Sequence, residues 1–304
     1  MDADDPAAFD PRPGEVAVIA PGIRRVLAPN PSPMTFRGTN SYLLGEGQVT
    51  LIDPGPADPA HLAALLAALA PGERIVRILV THSHADHSAL APALAAATGA
   101  PVAAHGDSRA GRTPLMAARG VAGGEGSDPG FRPDETIADG ALVETTAGML
   151  EAIHTPGHFG NHLSFALGGT VFSGDVAMGW ATSIVSPPDG DMGAYMRSLA
   201  RLADRGPALL LPGHGAPVAR AVERLDWLAR HRRDREAQIV AALASGPDDS
   251  LGLTRRIYAD LAPGLRPAAE RNVLAHLIDL RARGLVASAF PDPPSDWRLL
   301  EPRR

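Results

Sequence analysis

Three histidines and an aspartate stand within six positions of one another in the run Thr81-His82-Ser83-His84-Ala85-Asp86-His87-Ser88. Imidazole and carboxylate are both good donors to a divalent transition metal, the carboxylate adding charge compensation. In a regular helix His82 and His84 would point roughly 200° apart, at about 100° per residue, so the pattern belongs on a loop. The flanks agree: Ile75-Val76-Arg77-Ile78-Leu79-Val80 reads as a buried strand, and the Ala/Leu-rich residues 89–97 read as a helix. Donor-type residues recur directly after other apolar runs. Asp53 follows Ile52, His154 and His158 follow Leu150 to Ile153, Asp175 follows Phe172-Ser173-Gly174, and His214 follows Pro212-Gly213. Glycines beside these donors suit turns that need positive φ or close backbone approach.

Composition narrows the chemistry. The 304 residues contain no cysteine, so disulfides and thiolate ligation are excluded and any metal must be held by His and carboxylate. Hydrophobic residues make up 45%, enough for a substantial core, and the length suggests one large domain and a small one. No charged-then-apolar leader and no run of 18 apolar residues occurs, so a cytoplasmic protein without membrane association is expected. All 28 basic residues are arginine, which reads as compositional bias. Residues 220–304 carry 15 Arg against 12 acids, a net of +3, whereas the remainder carries 13 against 22. An acidic larger part argues against a broad nucleic-acid surface.

The elements that must position the donors alternate between short strands and helices. Residues 1–14, rich in Asp and Pro, read as a disordered or extended leader. Strands are expected at 16–19, 41–44, 49–52 and 101–105, then at 142–145, 150–153, 163–166, 170–172 and 208–211. Asp58-Pro59 marks a helix start, and a second helix is expected over roughly 190–204. Residues 106–130 read as a helix fragment plus a loop. From 217 to 243 the pattern is one long helix, followed by helices at 250–261 and 267–283 and a terminal hairpin over 285–287 and 297–300. That succession is the winged-helix order. The expected division is 15–222 for the catalytic domain and 223–304 for a linker helix and winged-helix-like domain.

The donor pattern resembles the metallo-β-lactamase superfamily, whose motifs run Asp, H-x-H-x-D-H, His, Asp, His. Here they fall at Asp53; His82, His84, Asp86 and His87; His158; Asp175; and His214. The likeness implies an α+β fold, a four-layer αββα sandwich with a small C-terminal winged-helix domain. It also implies two divalent metal ions, zinc first, with iron or manganese compatible with the same donors. One ion would take His82, His84 and His158, the other Asp86, His87 and His214, with Asp175 bridging. Two metals about 3.5–4 Å apart can share a water and lower its pKa, giving hydroxide that attacks a carbonyl or phosphoryl group. The catalytic assignments are Asp86, orienting that hydroxide as well as ligating, and Asp53. Asp53 reads first as the partner that fixes a ligand histidine, then as a structural turn, last as a direct ligand.

Other residues receive weaker roles. His162 is expected to support the ligands or touch substrate, and His154 to pack or to support a ligand. His105 is a lesser candidate for the same roles, while His61, His231 and His276 are expected to pack or face solvent. The loop Gly179–Asp191 offers Trp180, Thr182 and Ser183 toward a pocket, and residues 106–130 are expected to line it too. Lacking Arg, the 179–191 loop favours a small neutral substrate over a polyanion.

The C-terminal pattern resembles the β-lactamase-associated winged-helix domain, and Gly38-Thr39-Asn40-Ser41-Tyr42-Leu43 and Tyr195-Met196-Arg197-Ser198-Leu199 resemble the subgroup that carries it. That subgroup includes a single-strand endoribonuclease. The expected activity is hydrolysis of an ester-type bond. A single-stranded RNA phosphodiesterase or a glyoxalase-II-like thioesterase is the alternative, and a metal-sensing DNA-binding regulator ranks last. Partners are accordingly a small ester or thioester, or single-stranded RNA, with a homodimer as a further expectation.

Overall fold

The computed structural model describes residues 8–118, 126–289 and 296–300. One sheet takes β1 (Val16–Ala20), β2 (Ile23–Leu27), β3 (Asn40–Leu44), β4 (Gln48–Ile52), β5 (Arg74–Leu79), β6 (Val102–Ala104) and β7 (Glu135–Thr136) in that order. Its connections carry α1 (Pro59–Ala67), α2 (Ala85–Ser88), α3 (Ala91–Thr98) and α4 (Pro114–Ala118). β1 to β4 pair antiparallel, and β4 to β7 run parallel. The second sheet contains β8 (Leu142–Thr145), β9 (Gly148–His154), β10 (Leu163–Leu167), β11 (Thr170–Gly174) and β12 (Leu209–Pro212), with α5 (Met192–Asp204) crossing between its last two, parallel, strands.

Strand alternation builds the layers. Tyr42, Ile52 and Leu79 point between the sheets and meet Phe165, Phe172 and Leu211 in one core. Their neighbours Leu43, Leu51 and Ile78 point outward under Leu65 of α1 and Leu94 of α3. On the far side Ala166, Val171 and Leu210 lie under Tyr195, Leu199 and Leu202 of α5. A period of two on strands buried on both faces thus yields helix, sheet, sheet, helix. The starts of α1 and α5 are set by Asp58, accepting from Ala60 N and His61 N, and by Asp191, accepting from Ala194 N.

The C-terminal unit has its own core. α6 (Ala221–Ala244) is followed by α7 (Ser250–Ile257), a 3-10 turn at Pro263–Leu265, α8 (Arg266–Ala282) and the hairpin β13 (Val286–Ala287) with β14 (Arg298–Leu299). Leu225 and Leu228 of α6 belong to the sandwich, whereas Ile239 and Leu243 join Leu253, Val273, Leu277 and Trp297 in the second core. One helix therefore serves both units and runs unbroken through residue 222.

Several local expectations change. β2 escapes a pattern reading because Arg24 and Arg25 interrupt its apolar run. Arg24 is absorbed by Glu73, at 2.8 Å, and Arg25 lies 4.8 Å from the Phe9 ring centre. Phe9 is itself buried and stacks on Phe36, so ordered packing begins before residue 15; residues 1–7 lie outside the described residues. β7, two residues long, carries too little pattern to read. The long helix starts at 221 because Val218 pairs with Leu210 in both directions, at 2.9 and 3.0 Å. Part of the expected 106–130 wall, residues 119–125, lies outside the described residues. No helix among the described residues is long and apolar enough to cross a membrane.

Candidate metal centre

All the donor-bearing turns emerge at one edge of the sandwich. Asp53 ends β4, residues 81–87 follow β5, His158 follows β9, Asp175 follows β11 and His214 follows β12. Backbone bonds knit these turns together: Leu163 N donates to Thr81 O at 2.7 Å, and Gly213 N to Gly174 O at 2.9 Å. The closeness demands glycine. A Cβ on Gly213 would stand 2.3 Å from Asp175 Oδ1, and one on Gly174, where φ is 49°, would stand 2.5 Å from His162 Nε2.

The donors converge as two trios. His82 Nε2 and His158 Nε2 lie 2.9 and 3.0 Å from His84 Nδ1. His214 Nε2 lies 3.2 Å from Asp86 Oδ2 and 3.3 Å from His87 Nε2. Asp175 stands between the trios, with Oδ2 3.2 Å from His214 Nε2 and 3.7 Å from His158 Nε2, and Oδ1 3.5 Å from His87 Nε2. His82, His87 and Asp175 also lie within reach of a common point.

The hydrogen bonds behind the rings decide which nitrogen faces inward. His87 Nδ1 donates to Asp53 Oδ2 at 2.9 Å, His158 Nδ1 to Ile184 O at 2.6 Å and His214 Nδ1 to Gly38 O at 3.1 Å. Thr81 Oγ1 donates to Asp53 Oδ2 at 2.8 Å, so it accepts from His82 Nδ1 at 3.0 Å. These four histidines therefore present a bare Nε2 to the centre when neutral. Asp53, buried and held at a φ of 55°, accepts from Thr81 N, Thr81 Oγ1 and His87, and touches the centre only through that histidine. Of the three readings of Asp53, its contacts match the partner of a ligand histidine.

Electrostatics separate the trios. Burial, reinforced by the neighbouring imidazoles, holds His82 well below its ordinary pKa and His84 at about 3. For His214 burial opposes the charge, yet Asp175 and Asp86 together raise its pKa to about 9. His87 is likewise raised, against burial, by Asp86, Asp175 and Asp53. One trio is thus a set of neutral imidazoles, and the other is a carboxylate-rich cradle that attracts positive charge.

The donor set fits a pair of cations on three counts. The inward-facing nitrogens are bare once the rings are neutral, their mutual distances are near the ~3.3 Å edge of a tetrahedron with bonds of about 2.0–2.1 Å, and the buried Asp175 Oδ1 has no hydrogen-bond partner. Two carboxylates offset part of the cationic charge without thiolate.

The supporting residues fall differently. His162 is fully engaged: its Nδ1 donates to Thr155 Oγ1 at 2.9 Å, and its Nε2 accepts from Asp175 N at 3.1 Å. It positions Asp175 and, being buried, does not face substrate. Ser183, expected to support a ligand or touch substrate, is buried too, donating to Asp175 O at 2.5 Å and Val176 O at 3.0 Å, contacts that match support of the Asp175 turn. His154 stacks on His105 at 3.9 Å and bonds Gly160 O, apart from the trios. His61 and His276 are buried in packing, and His231 stacks on Trp227. Trp180 does line the cavity, stacked on Phe36 at 4.9 Å. The acids of the 179–191 loop are largely engaged within the protein: Asp189 pairs with Arg112 and Ser127, and Asp191 caps α5.

Sequence reasoning gave no role to several contributors. Asn40 ties the His214 turn through Pro212 O and Gly215 O, and Asn161 holds Ser83 through its N–H and hydroxyl. Two residues of the C-terminal unit reach the same region. Arg232 donates to Ser183 O, and Asn272 Oδ1 accepts from Val185 N at 3.0 Å and from Arg232 Nη1 at 3.2 Å. A cavity of about 580 Å³ runs from the trios to this unit.

Comparison with known proteins matches this geometry. The metallo-beta-lactamase superfamily model aligns with residues 34–214, and the beta-lactamase associated winged helix domain model with residues 250–292. The beta-lactamase-like protein 2 homolog of Drosophila melanogaster is 31% identical over 276 residues, covering 88% of this chain and 91% of that protein. The atrochrysone carboxyl ACP thioesterase of Aspergillus fumigatus is 30% identical over 236 residues, covering 75% of this chain and 67% of that one. A metallo-beta-lactamase family protein of Thermus thermophilus superposes with a TM-score of 0.75 at 26% identity, across 93% of this chain and 100% of that chain. The αββα layers, the donor turns at one edge and these likenesses agree: the chain belongs to the metallo-β-lactamase superfamily and carries its associated winged-helix domain.

Proposed function

We propose that the protein is a dinuclear metal-dependent hydrolase of ester-type bonds, with a small thioester or ester as substrate. The carrying observation is the pair of donor trios with Asp175 between them. His82, His84 and His158 would hold one ion, Asp86, His87 and His214 the other, and Asp175 both. Zinc is the first candidate, because imidazole and carboxylate suit it and no thiolate is needed. Bound there, two divalent ions supply Lewis acidity and lower the pKa of water.

The chain's own residues set the orientation. Asp53 locks the His87 ring, Thr81 the His82 ring, Ile184 O the His158 ring, and His162 the Asp175 backbone. Asp86 is half-buried and lines the cavity, which puts it in position to orient attacking water. A thioester is favoured by the relatives named as thioesterases and by the mostly carbon wall of the cavity. That wall disfavours RNA, whose phosphates call for exposed cations.

Metal content of protein purified without chelator, followed by assays on thioesters, lactones, RNA and β-lactams, tests this. About two equivalents of metal and fastest turnover of a thioester or lactone are expected. His84→Ala should lower metal content and abolish turnover while the far-ultraviolet circular dichroism is kept. Metal-free protein that zinc, iron and manganese all fail to load would remove the dinuclear reading. Preferential cleavage of RNA would move the substrate class to phosphodiesters.

A further inference from the structure

The cavity that opens on Asp86, His158, Asp175 and His214 is also walled by the C-terminal unit. From the sandwich come Met178, Trp180 and Ile184, and from the C-terminal unit Leu261, Leu265 and Ala268. Three of the polar side chains that this unit brings to the cavity, Arg232, Arg271 and Asn272, are turned to other tasks. Asn272 commits Oδ1 to Val185 N and Arg232, and Nδ2 to Ala268 O. Arg271 donates to Ser186 Oγ and Pro187 O, and Arg232 to Ser183 O. The two guanidinium groups on this wall thus hold the 183–187 segment. Of the lining side chains, Trp180 Nε1, His231 Nδ1, Arg232 Nε and, at the reactive end, Asp175 Oδ1 are buried without partners. Indole is uncharged, and burial followed by the nearby Arg232 and Arg235 lowers the His231 pKa, so neither of these brings a positive charge; the Arg232 charge is held back by Nη1 and Nη2 on Asn272 Oδ1 and Ser183 O.

Resting on the hydrolytic reading above, we infer that the winged-helix unit supplies the acyl pocket of the enzyme. The scissile bond lies at the donor trios, and an uncharged, largely apolar acyl group extends past Trp180 and Ile184 to end against Leu261, Leu265 and Ala268. A cavity of about 580 Å³ has the size of a small-molecule site of the usual ~300–1,000 Å³. It is also continuous with the reactive end, which is what ties its occupant to the substrate. The winged helix acts here as a specificity wall, and the substrate class is a medium-chain or aryl acyl ester or thioester.

Two measurements separate this inference from the hydrolytic reading. The first is kcat/KM for acetyl, butyryl, hexanoyl and octanoyl thioesters of N-acetylcysteamine. Each methylene buried should raise it about fourfold until the cavity is filled. Ala268→Trp, which fills the far end, should cut the octanoyl-to-acetyl preference at least tenfold, and Leu261→Ala should move the optimum to a longer chain. The second is calorimetric binding of the octanoyl amide isostere, which is not turned over. Wild-type protein should bind it at least tenfold more tightly than Ala268→Trp, with both folded by thermal melting. If the amide binds but no ester is cleaved, the pocket stands and the hydrolytic reading falls. If esters are cleaved with no chain-length dependence, or both variants keep the wild-type profile, the acyl pocket is overturned.

Discussion

The donor edge of the sandwich and the C-terminal unit both grip the loop from Val176 to Ser186, and they use it in opposite ways. At the donor edge, polar atoms point inward: Ile184 O orients His158, and Ser183 Oγ braces the Asp175 turn. From the other side, Arg232 and Asn272 bind the same loop by Ser183 O and Val185 N, leaving mostly carbon toward the cavity. Polar groups at the first region converge as two donor trios; those at the second are consumed in holding the loop behind them. The contrast teaches that the winged-helix unit braces the loop that orients His158 and Asp175, while its apolar residues line the cavity.

The comparison can be broken first at the donor edge. Asp53→Asn keeps size and tolerates the positive φ, but it weakens the anionic acceptor that fixes His87 and Thr81. Metal affinity should fall by about 10–100-fold, as is usual for partners behind a ligand. Competition titration with a chromophoric chelator reads this out. Unchanged affinity would reduce Asp53 to a turn residue.

A smaller effect is expected where the C-terminal unit meets the loop. Asn272→Ala leaves Val185 N without its acceptor and removes one partner of the buried Arg232. The cost should be about 1–3 kcal/mol in urea unfolding. Metal affinity should drop only severalfold, because Ile184 O is disturbed indirectly. A drop as large as that of Asp53→Asn would erase the distinction between the two regions.

The smallest effect lies inside the C-terminal core. His276 is buried, neither ring nitrogen has a partner, and burial together with Arg232 and Arg283 lowers its pKa to about 3. The unfolded chain therefore takes up this proton first as the pH falls. The contribution of the neutral ring is complete above pH ~6.5 and declines between ~6.5 and about 3. Between pH 7 and pH 5.5 the loss is about 1 kcal/mol. His276→Leu should flatten this slope and, by removing two unpaired buried nitrogens, match or exceed wild-type stability at pH 7. Urea midpoints at the two pH values check it; an unchanged slope would assign the acid sensitivity to other groups.

Much of the fold was legible because its strands are buried on both faces and end in glycine or proline turns. β2 was not, since Arg24 and Arg25 look like surface residues until Glu73 and Phe9 are brought to them. At the centre, the side chains that converge were readable one by one. Their supporters were less so: His162 and Ser183 have the right residue types for substrate contact, and only their partners show that both brace the Asp175 turn.

The sequence alone determined the donors, their chain order and the glycines beside them, because converging metal donors require particular side chains on tight turns. Only tertiary structure decided which ring nitrogen faces the centre, that Asp175 stands between the trios, and that the winged-helix unit lines the cavity. The physical reason is that these outcomes rest on atoms every residue carries. Nothing in the letters marks Gly38 O or Ile184 O as the acceptor that orients a histidine, since a carbonyl acquires that role only when folding brings the ring to it.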